Sequence, residues 1–318
     1  MLLGVFAALS LIVGVVVCFA KNAFVGMTWL WLLPVTAIGC LLGLVLLAFL
    51  FRLFLCSRVN QDIPQEDDDP LYRKTAGLII ESVLPLLRIH VKKNGMEKMP
   101  KEGRFLLVCN HCSLFDPIGI LHALRDYQLA FVSKKENSTL FVIGPVMHKL
   151  LCQLINREND REALKTILRC IQIIKEDKAS VAVFPEGGIL SEDGKLHHFR
   201  PGVFKIAQKA DVPIVVCTLK NTLNVIPNLL KWKPSRVELN ILGVIPPEEI
   251  KGITTVDIAD RCYRMLAEDL GLDLIAVYYN SPPEMGGFLR IIPLDLWIEF
   301  RYNRKPEEKN PNISILEE

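Results

Sequence analysis

The sequence predicts an α/β fold, a sheet flanked by helices, preceded by a hydrophobic two-helix membrane hairpin. Two uncharged apolar stretches, residues 1–20 and 27–51, predict the hairpin, because each as a helix can span a hydrocarbon core of about 30 Å. From residue 88 onward, short apolar runs of strand length alternate with helical patterns, and that rhythm predicts the sheet. Two of the apolar runs end directly in ionisable residues, glycine or proline, which is where open α/β sheets place their ligands. The 318 residues suffice for one large domain or two modest ones, and 51% hydrophobic content is high for a soluble enzyme.

The hairpin is read from its flanks. The first stretch lacks the basic start of a signal peptide, and the connector 21–26 is a poor export-cleavage region. Arg52 and Arg58 follow the second stretch closely, with Arg73 and Lys74 farther on, while the connector carries only Lys21. Both ends, and the globular part with them, are therefore expected on the cytoplasmic side of an integral membrane protein. Residues 1–56 hold two basic and no acidic groups, so the remainder is formally neutral. No global field recruits nucleic acid, and any phosphate site must be a local cluster.

Nine cysteines, odd in number and scattered, argue against a disulfide framework and fit a reducing compartment. Cys109 and Cys112 spell C-x-x-C, but no second pair completes a zinc site, and His122, His148, His197 and His198 show no ligand spacing around it. No metal site is expected.

The elements follow in order. Residues 57–70 form a linker whose later part, 61–70, is acidic, proline-bounded and apolar-poor. Residues 71–87 make a helix that Pro85 kinks or ends, either a first core helix or one lying against the bilayer. Strands are expected at 90–93, 104–109, 129–133, 180–184, 213–219 and 237–244, with a strand-like stretch at 154–156. Helices are expected at 117–125, 140–151, 161–174 and 201–210, the third with Leu164, Ile167, Leu168 and Ile171 on one face. A final helix, 255–270, starts from Thr254 or Thr255 and stops before Gly271. The division is then 1–56 membrane helices, 57–70 linker, 71–303 globular domain and 304–318 polar tail, with 273–300 apolar in patches and unassigned.

Chemistry concentrates in three places. Asn110 to Asp116 puts His111 and Asp116 five residues apart where a strand meets a helix, with Asp116-Pro117 reading as an N-cap and first helical proline. On an unbroken helix the two side chains would diverge by about 140°, so they meet only if the chain bends between them. The bland alternative is a capping aspartate and an ordinary loop histidine. Second, the apolar strand 180–184 runs through Pro185 into Glu186, Gly187 and Gly188, where glycines let backbone N–H groups approach an anion, or simply make a tight turn. Third, Arg157 follows the strand-like 154–156, and Arg200-Pro201 opens a helical run, so that cations and free N–H groups could meet a phosphate.

In that order, His111 to Asp116, Arg157, Phe184 to Gly188 and Val212 to Val215 resemble the four blocks of the glycerolipid acyltransferase family, in particular the 1-acylglycerol-3-phosphate acyltransferases. The resemblance covers roughly residues 92–219 and rests on the combination of short blocks. Lys134 also matches a lysine often found between the first two blocks. The resemblance implies a mixed sheet, with His111 deprotonating an acceptor hydroxyl that attacks an acyl thioester while Asp116 holds the imidazole. Imidazole, with an unperturbed pKa near 6.5, suits that work at neutral pH. The resemblance further implies that Glu186, Gly187, Gly188, Lys134, Arg200 and above all Arg157 hold a lysophospholipid acceptor, foremost 1-acylglycerol-3-phosphate. The acyl donor would be acyl-CoA or acyl-ACP, with no bound cofactor.

The third block departs from the family: Gly188-Ile189-Leu190 stands where Thr-Arg-Ser usually follows Glu-Gly, so one arginine is missing, and Arg200 or Lys205 is the candidate replacement. Val216 stands where proline is common. Two other readings keep the fold: a lipid or thioester hydrolase with Ser113 or Cys112 as nucleophile, and a non-catalytic lipid-binding protein.

Overall fold

A computed structural model describes residues 2–156, 159–189 and 196–272. Arg157, the unassigned segment 273–300 and the polar tail 304–318 lie outside the described residues. The chain opens with α1 (Leu2–Ala20) and α2 (Trp29–Ser57), which pack on each other as a hairpin. Gly14 permits the close approach: a Cβ there would sit 2.9 Å from Leu33 Cδ1. The hydroxyls of Ser10 and Thr36 return to carbonyls of their own helices at 2.7 Å, so neither presents an unpaired polar group outward. Among the described residues α2 is the one helix long and apolar enough to cross a membrane by length and composition, and none of its apolar window is buried.

The segment 61–70 is exposed for much of its length but tied down. Gln61 Nε2 donates to Ser138 O at 3.2 Å, His148 bonds Ile63 O at 2.9 Å, and Arg73 grips Asp68 with two bonds of 2.7 Å. Asp69 then caps α3 (Pro70–Leu86), accepting from Leu71 N and Tyr72 N. Pro85 falls in the last turn, and the helix stops one residue later.

The globular part is a seven-stranded mixed sheet of order β1-β7-β6-β2-β5-β3-β4. The strands are β1 (Ile89–Asn94), β2 (Leu106–Cys109), β3 (Leu129–Lys134), β4 (Gln153–Ile155), β5 (Ser180–Val183), β6 (Ile214–Lys220) and β7 (Ser235–Ile245). β2 to β6 run parallel, and β7 with β1 runs against them. The central strands β2 and β5 are buried at every residue, as continuous apolar runs covered on both faces must be. β7, nearer the edge, alternates instead.

Helices α4 (Asp116–Ala123), α5 (Ile143–Lys149), α6 (Asp160–Lys175), α7 (Lys205–Ala210), α8 (Val225–Leu230), α9 (Pro247–Ile250) and α10 (Thr255–Leu270) complete the order. Leu107, Cys109, Val215 and Cys217 pack with Ile120 of α4 and with Leu124, its C-cap residue, on one face, and Leu106, Val108, Ile214 and Val216 pack with α6, α7 and α10 on the other. The period of two along each strand makes this division.

Three helices differ from the sequence expectation. In α6 the buried stripe is Ile167, Cys170, Ile171 and Ile174, leaving Leu164 and Leu168 more than half exposed, because the sheet meets the i, i+3, i+4, i+7 face centred on Cys170. The helix expected at 140–151 shrinks to α5, because a tight turn at Val142 interrupts it. The helix expected at 201–210 splits into a 3-10 turn, Pro201–Phe204, and the short α7. α10 has the expected bounds, with a capping box from Thr254 and Asp257 and a left-handed Gly271.

Candidate active site

The site forms at the carboxyl ends of the adjacent strands β2 and β5, whose following helices α4 and α7 lie on opposite faces of the sheet. A crevice opens where neighbouring strands part in this way. After Cys109 the main chain leaves the sheet, but the buried Asn110 side chain continues the ladder. Its Nδ2 donates to Leu219 O at 2.9 Å and its Oδ1 accepts from Leu219 N at 2.8 Å. One amide thus pins the loop root to β6 while the backbone turns toward His111.

The loop closes on Asp116. Asp116 Oδ2 accepts from Cys112 N at 2.7 Å and Ser113 N at 2.8 Å and lies 2.9 Å from His111 Nδ1. This corrects the reading of Asp116 as a helix cap: Phe115 is the cap residue of α4, and the carboxylate turns back to the preceding loop, where two N–H groups of the bend need an acceptor. An oxygen that already accepts two backbone N–H groups has no room for its own proton, so His111 Nδ1 carries the hydrogen and donates it. The lone pair is left on Nε2, where a general base needs it. The imidazole stacks on Phe184 with centroids 4.1 Å apart and 17° between planes, which fixes its plane. Its side chain keeps 16% of its surface exposed, whereas Asp116 has none.

Glu186 is placed differently from the expectation. It is 2% exposed, with Oε1 accepting from His111 N at 2.7 Å and Oε2 from His197 N at 2.9 Å. Rather than facing an acceptor molecule, the carboxylate ties the His111 loop to the loop of His197 to Arg200. Burial pushes its pKa up from 4.5 to about 7, against the pull of those two N–H groups. The folded state therefore holds a proton between about pH 4.5 and 7 that the unfolded chain releases, and stability falls as pH rises through this window. The melting temperature of the wild type minus that of Glu186→Gln is expected to shrink from pH 5 to pH 8, as differential scanning calorimetry would show. A pH-independent difference would refute the assignment.

Gly187 has φ +81°, and a Cβ there would lie 2.6 Å from Arg200 Nε. The glycine therefore supplies both the left-handed turn and the space in which the Arg200 side chain lies against it. Arg200 itself is exposed, and its N–H donates to Pro185 O at 2.8 Å. Gly188 continues the turn, half-buried. His111, Asp116, Glu186, Gly187 and Arg200 thus come together. Lys134 stands at the same sheet edge at the end of β3, but its side chain is 56% exposed and paired with Glu136 at 3.2 Å. Asn110 and Phe184 were given no role by sequence reasoning, although each adjoins a motif residue. Among the described residues no group of three or more His, Cys, Asp or Glu side chains is placed to hold a metal ion.

The family profile described as Acyltransferase matches residues 90–220, the span that builds this crevice. Over that span the chain is similar to acyltransferases. It is similar to the 1-acyl-sn-glycerol-3-phosphate acyltransferase of Chlamydomonas reinhardtii, 28% identical over 193 residues that cover 60% of this chain and 56% of that one. It is also similar to a probable 1-acyl-sn-glycerol-3-phosphate acyltransferase of Mycoplasma pneumoniae, 28% identical over 62% of this chain and 76% of that one. The crystal structure of the 1-acyl-sn-glycerophosphate acyltransferase of Thermotoga maritima shares the fold, with a TM-score of 0.52 and 24% identity over 71% of this chain and 88% of that one. The chain spans about half the length of several curated plant and algal relatives.

Proposed function

We propose that the protein is a lysophospholipid O-acyltransferase, with 1-acylglycerol-3-phosphate as the first acceptor to test. The observation that carries the reading is the His111 ring, held by Asp116 through Nδ1 so that Nε2 is free at the mouth of a glycerolipid acyltransferase crevice. His111 Nε2 takes the proton of the acceptor hydroxyl as its oxygen attacks the thioester carbonyl. The tetrahedral intermediate collapses, the C–S bond breaks, and the thiolate leaves with the proton from the imidazolium. Asp116 stabilises the positive ring in between. Arg200, lying over Gly187, stands in for the arginine that the third block lacks and binds the acceptor phosphate, with Arg157 and Lys134 as further cations. Acyl-CoA or acyl-ACP serves as co-substrate.

The hairpin would hold residues 71–303 on the cytoplasmic face of a membrane. That location supplies an acceptor too apolar to diffuse in water.

The hydrolase reading is weaker on geometry. Ser113 is 6% exposed, and its Oγ accepts from Phe115 N at 3.2 Å, so it serves the turn. Incubating the purified protein with labelled acyl thioester and a panel of lysophospholipids separates the readings. Acceptor-dependent label in diacyl product supports transfer, and rapid free fatty acid without acceptor overturns it.

A further inference from the structure

The carboxyl edge of the sheet, where the site opens, is also where large apolar side chains face outward. After β3, Leu140 is 45%, Phe141 77% and Ile143 51% exposed. After β2, Leu114 is 71% exposed, and in the β6–β7 connection Leu230 and Trp232 are 83% and 64% exposed. The opposite edge carries connections such as 95–104 and 246–254, rich in Lys and Glu, where Met99 and Ile250 are buried and Ile253, at 38%, is the exposed large apolar side chain. So one-sided a distribution marks a surface that meets something apolar.

The Phe141 loop is held out by force. Val142 has φ 65° and ψ −45°, and Ile143 N donates to Phe141 O at 2.7 Å, the positive-φ γ-turn that a β-branched residue rarely adopts. Gly144 locks the turn under the loop's own start, since a Cβ there would lie 2.0 Å from Ser138 O. A strained turn maintained to expose a phenylalanine is accounted for if the exposed face has work to do.

What it meets follows from its neighbours. Ser138 O accepts from Gln61 Nε2 shortly after α2 ends at Ser57, and α5 packs against α2, so the loop sits beside the foot of the apolar helix. The exposed Lys135 flanks it, suited to headgroup phosphates. At the other corner Trp232 is of the type that settles at a membrane–water interface.

We infer that this edge lies flat on the bilayer surface, with the Leu140–Ile143 turn and the Leu230–Trp232 corner inserted among the lipids as two contacts beyond the hairpin. The inference rests on the reading that α2 is membrane-embedded. The crevice then opens onto lipid, and an acceptor reaches His111 by sliding along the interface.

The test uses the full chain reconstituted in vesicles of phosphatidylcholine and phosphatidylglycerol, with p-benzoylphenylalanine replacing Leu47 of α2, Phe141, Trp232 or Ile253 in separate variants. After illumination, mass spectrometry is expected to find lipid adducts at 47, 141 and 232, and at least tenfold fewer at 253. Adducts at 47 without 141 and 232 would overturn the edge contact and leave the embedded helix standing, whereas no adduct at any position would overturn both. Equal labelling at 253, or crosslinks from 141 to protein instead of lipid, would also reject the inference.

Discussion

Replacing His111 with alanine is expected to lower acyl transfer by about 10²- to 10⁴-fold, the range that a positioned general base supplies. The fold should tolerate the change. The backbone N–H of His111 keeps its bond to Glu186, and the side chain is partly exposed rather than part of the core. The measurement is kcat with saturating acceptor and donor, beside an unfolding curve for the same preparation. Undiminished turnover would remove His111 from the mechanism, and an unfolded variant would show that the ring has a structural role unlike the one assigned.

Asp116 is expected to separate charge from geometry. In Asp116→Asn, the amide oxygen can take the place of Oδ2 and keep both backbone donors and the ring Nδ1–H, while the amide nitrogen occupies the position of the unpartnered Oδ1. That nitrogen has no acceptor at the buried Oδ1 position, so stability should fall by about 1–3 kcal/mol, while the imidazolium loses its counter-charge and transfer should fall by about 10²-fold or more. Asp116→Ala should lose more stability still. It leaves two N–H groups at a fully buried position without an acceptor, at a cost of about 1–3 kcal/mol each. Urea midpoints and kcat for the two variants check this. An alanine variant as stable as the wild type would mean that the 111–113 bend does not depend on the carboxylate.

Much of the site was legible because its chemistry sits on one short segment. His111 and Asp116 lie on the same strand-to-helix bend, and an apolar run ending in a polar turn is visible without knowing its neighbours. The same holds for Phe184 to Gly188 at the end of β5. Glu186 was visible as a residue but not as a clamp, because its partners are His111, 75 positions earlier, and His197 on the far side of the turn. Asn110 is similar: its amide looks like loop polarity until Leu219 of β6, 109 positions away, is seen beside it. In α6 the expected stripe was one step off, because Leu164 and Leu168 satisfy helical periodicity equally well and only the position of the sheet selects the face.

The sequence by itself determined most of the strands and helices, the apolar hairpin and the placing of His111 and Asp116 on one bend, because burial period, turn residues and short-range spacing are local properties of the chain. Only the tertiary structure decided that β2 lies beside β5, that a buried glutamate joins their two loops, and that the apolar loops share one edge. Those facts depend on strand order and on which crossover takes which face. They are set by contacts between segments far apart in the chain, which compete through packing energy and leave no periodic trace in any one segment.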